Sequence, residues 1–342
     1  MSDELIDAPE YEELLGRISA SYSEGQAQAF HAVNTHLTKT YWEIGRQIVE
    51  FEQGGKIRAE YGKSLIKNLS RDLTLRHGRG FSRSNVIYMR LFYLAYSKGQ
   101  KPSDFLSWSH HVELLRIDDP LERSFYEKQA IIEKWSVPEL QRQKRSSLFL
   151  RLAAGKKKEE ILALAKEGQN ITNPIDILRD PFVFEFLKIS EPNDLSEKEL
   201  ETRLCNQLEP FLLELGKGFT FVGRQYRITV SNVHYYVDLV FYHRILRCFV
   251  LIDLKLEDVK HHDIGQMNLY LGYFAAEENV EGDNPPIGIL LSRHKDELLV
   301  EYATYGMNSQ LFVQKYQLYL PNRDELKATL EATLRLTQSE EA

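Results

Sequence analysis

The chain has 342 residues, 43% of them hydrophobic and 27% charged, with a formal net charge of -7. That length suits about two domains, and the apolar content, with only 19 Gly and 11 Pro, excludes a disordered, collagen-like or low-complexity polymer. No apolar run approaches the roughly 20 residues that cross a bilayer. The start, MSDELIDAPEYEELL, is acidic rather than a basic leader, and Cys205 and Cys248 alone make neither a disulfide framework nor a zinc-ligand set. A cytoplasmic protein without a membrane partner is expected.

The charge is unevenly spread. Residues 1–170 carry 26 Lys and Arg against 23 Asp and Glu, a net of +3, which leaves -10 for the remainder. Between Lys56 and Lys101 eleven basic residues face two acids, Glu60 and Asp72. Clustered Lys and Arg supply the phosphate contacts that dominate nucleic-acid affinity, although the same run also suits a solvated helical face.

In chain order, Leu14, Ile18, Phe30, Val33, Leu37, Tyr41, Ile44, Ile48 and Phe51 recur at three and four, the spacing of one helical stripe that Gly54 and Gly55 end. A second helix is predicted from about Tyr61 to Arg76. His77-Gly78-Arg79-Gly80 breaks it, and Ser82 or Ser84 caps a third that runs to about Tyr96. Two helices around a Gly-containing turn resemble a helix-turn-helix, which would present Arg79, Arg83, Ser84, Asn85 and Arg90 to DNA. The third helix is also apolar around much of its circumference, as a core helix would be. Ser136, Pro138 and Glu139 open a further helix whose Arg142, Lys144, Arg145 and Arg151 would extend the basic surface. His110-His111 suits packing better than a metal pair. Turn formers between Gly155 and Pro181 mark a boundary, so a helical domain is expected over residues 10–152, a linker over 153–181 and a second domain over 182–337.

The second domain changes period. A helix from about Ser196 to Leu215 precedes three strands, at about Phe219 to Val230, Tyr235 to Tyr242 and Cys248 to Leu256. A helix from about Asp263 to Glu277 and a buried-type strand, Ile287 to Leu291, follow. A hairpin folded symmetrically about Ile245-Leu246 places Asp238 directly opposite Asp253. Two carboxylates about 5 Å apart repel by on the order of 3 kcal/mol at an effective dielectric of about 20. A shared proton or a divalent cation with oxygen ligands offsets this. Lys255, two residues past Asp253, projects from the same face, where an ammonium suits phosphodiester hydrolysis better than sugar chemistry. Gln266 and Tyr270, four apart, share a helical face and can hydrogen-bond a nucleotide or hold the lysine. Of Glu199 and Glu201 in the earlier helix, Glu201 is better placed if Leu200, Leu204 and Leu208 form the buried stripe.

The pattern of a helix Glu, Asp238, Asp253-Leu254-Lys255 and Gln266-Met-Asn-Leu-Tyr270 resembles the PD-(D/E)XK nuclease superfamily, and its Gln-x-x-x-Tyr element resembles the RecB-like branch. The stretches FLLELGKGFTFVGRQYRITV, YVDLVFYHRILRCFVLIDLK and GQMNLYLGYF, with YWEIGRQIV and LSWSHHVELL earlier, resemble the YhcG family over nearly the whole chain. The resemblance implies an α+β multidomain protein, in which an all-α N-terminal domain precedes a restriction-endonuclease-like domain with a central mixed sheet. It implies cleavage of duplex or branched DNA with Mg²⁺, or Mn²⁺ in its place, held by Asp238, Asp253 and Glu201. Lys255 would act on the attacking water, with Gln266 and Tyr270 completing the site, in a homodimer. Asp253 stands where the family usually has Glu, one methylene longer. That departure keeps open a nuclease-fold binding protein without turnover.

Overall fold

The computed structural model describes residues 9–54, 58–96, 103–179, 181–189, 196–294, 296–305 and 308–340. Its contacts divide the chain into two compact units, residues 1–123 with 134–140, and residues 124–133 with 141–342. In chain order the first helices are α1 (Pro9–Gly54), α2 (Arg58–His77), α3 (Arg83–Ala95), α4 (Trp108–Leu114), α5 (Pro120–Glu133) and α6 (Val137–Arg145). The helix after the Gly78–Gly80 break begins at Ser82, whose hydroxyl accepts from Asn85 N. Gly45 lets α1 approach α3, because a Cβ there would lie 2.0 Å from the Met89 carbonyl oxygen. Val86, Met89 and Phe92 of α3 are fully buried, so the helix is a core helix for most of its length. His111 is buried between Phe92 and Tyr96, and burial lowers its pKa to about 4. It is a packed residue, as its sequence context suggested.

Next come α7 (Leu148–Ala153) and α8 (Lys158–Glu167). Residues 153–181, expected as a linker, carry α8 and a 3₁₀ turn, Pro174–Ile177, within the second unit. Arg142 and Arg151 do not extend a basic surface, which corrects the sequence reading. Arg142 on α6 and Arg151 on α7 are buried, and both bond the fully buried Glu214 carboxylate, at 2.9 and 2.7 Å. Arg179 lies 3.4 Å from the same carboxylate. Periodicity could not reveal this, because the partner acid lies some 60 to 70 positions along the chain.

The sheet unit continues with β1 (Phe182–Val183), α9 (Glu197–Asn206), α10 (Leu208–Leu215), β2 (Phe219–Val230), β3 (Val233–His243), β4 (Cys248–Leu254), α11 (His261–Tyr273), β5 (Ile287–Ser292), α12 (Glu297–Thr304), β6 (Gln310–Gln317) and α13 (Arg323–Glu340). The helix expected over 196–215 breaks at Gln207, next to Pro210, whose missing N–H and ring cannot continue the preceding turn. The sheet order is β1-β6-β5-β4-β3-β2, antiparallel from β2 to β4 and parallel beyond. Helices α11 and α12 make the parallel crossovers. The sequence reading missed α12 and β6. β6 interrupts its apolar residues with Gln310, Gln314, Lys315 and Gln317, and only the two-residue β1 lies outside it.

Apolar cores cover both faces of the sheet. Leu200, Leu204 and Phe211 of α9 and α10 pack with Leu239, Val250 and Ile252 on one face; Met267, Leu271 and Phe274 pack with Val240, Leu251 and Leu290 on the other. Among the described residues no helix is long and apolar enough to cross a membrane.

The Glu214 cluster yields a stability prediction. Burial opposes the Glu214 charge, but the guanidinium groups of Arg151, Arg179 and Arg142 outweigh it and hold the pKa at about 2. Glu214→Ala leaves buried guanidinium charge uncompensated and is expected to cost about 3–5 kcal/mol, read by denaturant unfolding. A loss under about 1 kcal/mol would show that the charges are not interdependent.

Candidate active site

The site forms where β3 and β4 part. Their ladder runs in register from His243↔Cys248 to Leu239↔Ile252, the pairing expected from the symmetric turn. Beyond it, side chains take over the hydrogen bonds. Leu254 N donates to Asp238 Oδ2 at 2.9 Å, and Asp238 N donates to Asp253 Oδ1 at 3.3 Å. Each aspartate thus accepts a backbone N–H from the other's strand, which locks the two carboxylates together. Asp253 is 3% exposed, whereas Asp238 is half-buried, so the pair opens to solvent on the Asp238 side. Burial raises both pKa values, and the charge of Asp238 raises that of Asp253 further, to about 7.

Lys255 follows on the same strand end, and its backbone N–H donates to Leu291 O of β5 at 2.7 Å. Its ammonium lies 3.6 Å from Asp263 Oδ1 and 3.9 Å from both Asp253 Oδ2 and Glu197 Oε2. Burial opposes the charge, but Asp253, Glu197, Asp263 and Asp238 outweigh it and hold the pKa above the ordinary lysine value. Lys255 is therefore a cation at neutral pH, able to donate hydrogen bonds and unable to accept a proton.

Glu201 of α9 is the acid turned inward, 3% exposed beside Leu200 and Leu204, while Glu199 pairs with Arg203 at the surface. Burial raises the Glu201 pKa. It joins the site through Gln225, a residue the sequence reading missed. The Gln225 carboxamide donates to Glu201 Oε2 at 2.5 Å and to Asp238 Oδ1 at 3.0 Å. A β-bulge at Val222 shifts the β2–β3 register by one residue, so that Gln225 rather than Arg224 falls opposite Asp238. Gln225 holds φ 46°, unusual for a residue with a side chain and a mark of functional sites. No sequence signal announced the bulge.

Gln266 and Tyr270 share a face of α11 and hydrogen-bond each other, but they do not hold Lys255. Tyr270 OH donates to Tyr236 O of β3 at 3.1 Å, and burial raises its pKa to about 12. The pair braces the backbone just before Asp238. Asp263, in the first turn of α11, accepts from Lys260 N at 2.8 Å and stands beside Lys255, one of the two roles the sequence left open for Gln266 and Tyr270.

Of the residues read as DNA contacts, Arg79, Arg83 and Ser84 are exposed around the start of α3. Asn85 instead bonds Trp108 Nε1, at 2.7 Å, and Gly80 O, while Arg90 pairs with Glu52 at 2.7 Å. Lys56, Lys98 and Lys101 of the basic run lie outside the described residues.

Among the described residues no three His, Cys, Asp or Glu side chains form a completed cation site. The donor set nonetheless suits a hard divalent ion. Asp238 and Asp253 are hard oxygen donors tied to each other's strand, and the Lys255 charge acts against their repulsion.

A carboxylate pair beside a lysine thus stands at strand ends of a mixed sheet with helices on both faces. Residues 175–331 match the YhcG PDDEXK nuclease domain, and residues 17–151 match the DUF1016 N-terminal domain. YhcG of Escherichia coli (strain K12), a candidate nuclease, is 37% identical over 355 residues that cover 94% of each chain. The chain belongs to the YhcG family of the PD-(D/E)XK nucleases. Solved structures give weaker likenesses, to a repair endonuclease from Pyrococcus abyssi and to EndoMS in its dsDNA2 complex. Each is 19% identical with a TM-score of 0.26, over 39% and 40% of this chain and half of theirs. Likeness at that level carries no argument about function.

Replacing one of the opposed acids is expected to stabilise the metal-free protein. Asp253→Asn keeps the acceptor for Asp238 N and removes the repulsion, which should raise Tm in chelator by a few degrees, about 1 kcal/mol or more. In the wild type the raised Asp253 pKa contributes stability at low pH that is lost as pH rises through about 7. The advantage of the variant should therefore widen between about pH 4, the ordinary carboxyl value, and about pH 7, and stay level above it. A Tm lower than wild type across that range would contradict the electrostatic account.

Proposed function

We propose that this protein is a Mg²⁺- or Mn²⁺-dependent DNA endonuclease of the cytoplasm, acting as a homodimer, in which the helical unit holds duplex or branched DNA. The observation that carries the reading is the interlocked Asp238–Asp253 pair with the Lys255 ammonium beside it. The reaction is attack of water on phosphorus with departure of one sugar oxygen. Asp238 and Asp253, with Glu201 near, would hold the divalent ion, which would supply Lewis acidity. Lys255 stays protonated, so it stabilises the negative charge that builds on the phosphoryl oxygens and orients the water by donating to it. Gln225 positions Glu201 and Asp238 relative to each other. Gln266 and Tyr270 hold the Tyr236 backbone and thereby the approach of β3 to the site.

Arg79, Arg83 and Ser84 supply phosphate contacts at the α3 N-terminus. Arg90 and Asn85 serve mainly to hold that surface in place, through Glu52 and Trp108. Defence, repair and junction processing all suit these residues.

A second reading, a nuclease-fold binding protein without turnover, is favoured by Asp253 in place of Glu and by Gln225, which engages Glu201. Plasmid and branched DNA incubated with Mg²⁺ or Mn²⁺ separate the two. Wild type should cleave, and Asp238→Asn and Lys255→Ala should each cleave about 100-fold more slowly or worse. Cleavage unaffected by both substitutions removes the site, and binding without cleavage on every substrate favours the second reading. In binding assays, Arg79→Glu with Arg83→Glu should lower the salt dependence of log K by about one unit per lost contact. An unchanged slope returns these arginines to ordinary surface.

A further inference from the structure

Helix α1 carries a stripe of large apolar side chains left open to solvent. Leu15, Ile18 and Tyr22 are 44, 57 and 67% exposed, and Val33, Leu37 and Phe51 are 57, 42 and 69% exposed. At 100° per residue, Leu15, Ile18, Tyr22, Val33, Ile44, Ile48 and Phe51 fall within an arc of about 120°. So large an apolar surface on one helix is costly in water and marks an interface.

The stripe is symmetric about its own midpoint. Leu15 and Phe51 lie eighteen positions either side of Val33, Ile18 and Ile48 fifteen, and Tyr22 and Ile44 eleven, with Ile48 buried at 5% exposure and Ile44 half-buried where they line a groove against α2. Two copies of one helix packed antiparallel set each residue against its mirror position, so this spacing matches the stripe to itself. The receiving surface is also built. Ile44, Ile48 and Phe51 of α1 and Leu65, Leu69 and Leu73 of α2 line an open apolar groove of about 530 Å³. The charges complement each other. Residues 11–26 carry Glu12, Glu13 and Glu24 against Arg17, whereas Lys67, Arg71 and Arg76 against Asp72 line α2.

We propose that two copies of the chain pair antiparallel along α1 about a two-fold axis at Val33, and that residues 11–22 of each fill the α1–α2 groove of the other. The contact runs for about 54 Å of helix, long enough for an interface of standard size, roughly 800 Å² per copy. The inference deepens the homodimer of the proposed function, and because it rests on the helical unit alone its test is separate from that of the cleavage chemistry.

The test is sedimentation of the full chain across the micromolar range, with disulfide trapping in a Cys205→Ser background, Cys248 being buried. The wild type should sediment as a dimer, and Val33→Glu with Leu37→Glu as a monomer of unchanged helical circular dichroism, because both side chains are exposed. Val33→Cys should cross-link to itself, and Leu15→Cys should cross-link only when mixed with Phe51→Cys. A wild-type monomer throughout, a dimer that survives both glutamates, or Leu15→Cys cross-linking to itself would overturn the proposal.

Discussion

Two aspartates that should repel are tied to each other's backbone, and the rest of the site is arranged around that constraint. Asp238 and Asp253 replace carbonyl groups as acceptors where β3 and β4 part, so neither carboxylate can swing away without orphaning an N–H of the opposite strand. Burial raises both carboxyl pKa values, and the repulsion appears as the further rise that the Asp238 charge imposes on Asp253. It is offset in part by Lys255, which Asp263 and Glu197 in turn surround. Charge of one sign is held in place ahead of its partner, and this preorganisation is what electrostatic catalysis requires.

Much of this was legible in the sequence. A symmetric turn set the opposition of residues 238 and 253, strand alternation put Lys255 on the same side as Asp253, and the Leu200–Leu204 stripe separated Glu201 from Glu199. What escaped depended on single-residue events or on distant partners. One extra residue at Val222 decides whether Arg224 or Gln225 faces Asp238, and nothing in the composition of β2 signals a bulge. The partner of Tyr270 is a backbone carbonyl, invisible to motif reasoning. Arg142 and Arg151 look in the sequence like any exposed basic pair, and only the fold brings Glu214 to them.

The two halves solve different physical problems. In the sheet unit, buried charge is used twice, once neutralised by close pairing at Glu214 and once left unbalanced at the aspartates. In the helical unit the core is aromatic and apolar around α3, with Gly45 permitting close approach, while the long first helix leaves its stripe for contacts beyond its own chain. The first half is net basic and the second net acidic. Only a few of those acids are drawn into the site.

The most direct measurement is the anomalous difference density of a crystal soaked in Mn²⁺. The account predicts a peak shared by the carboxylates of Asp238 and Asp253. Saturating Mn²⁺ with no peak at that pair, or with one only at carboxylates elsewhere, would contradict it.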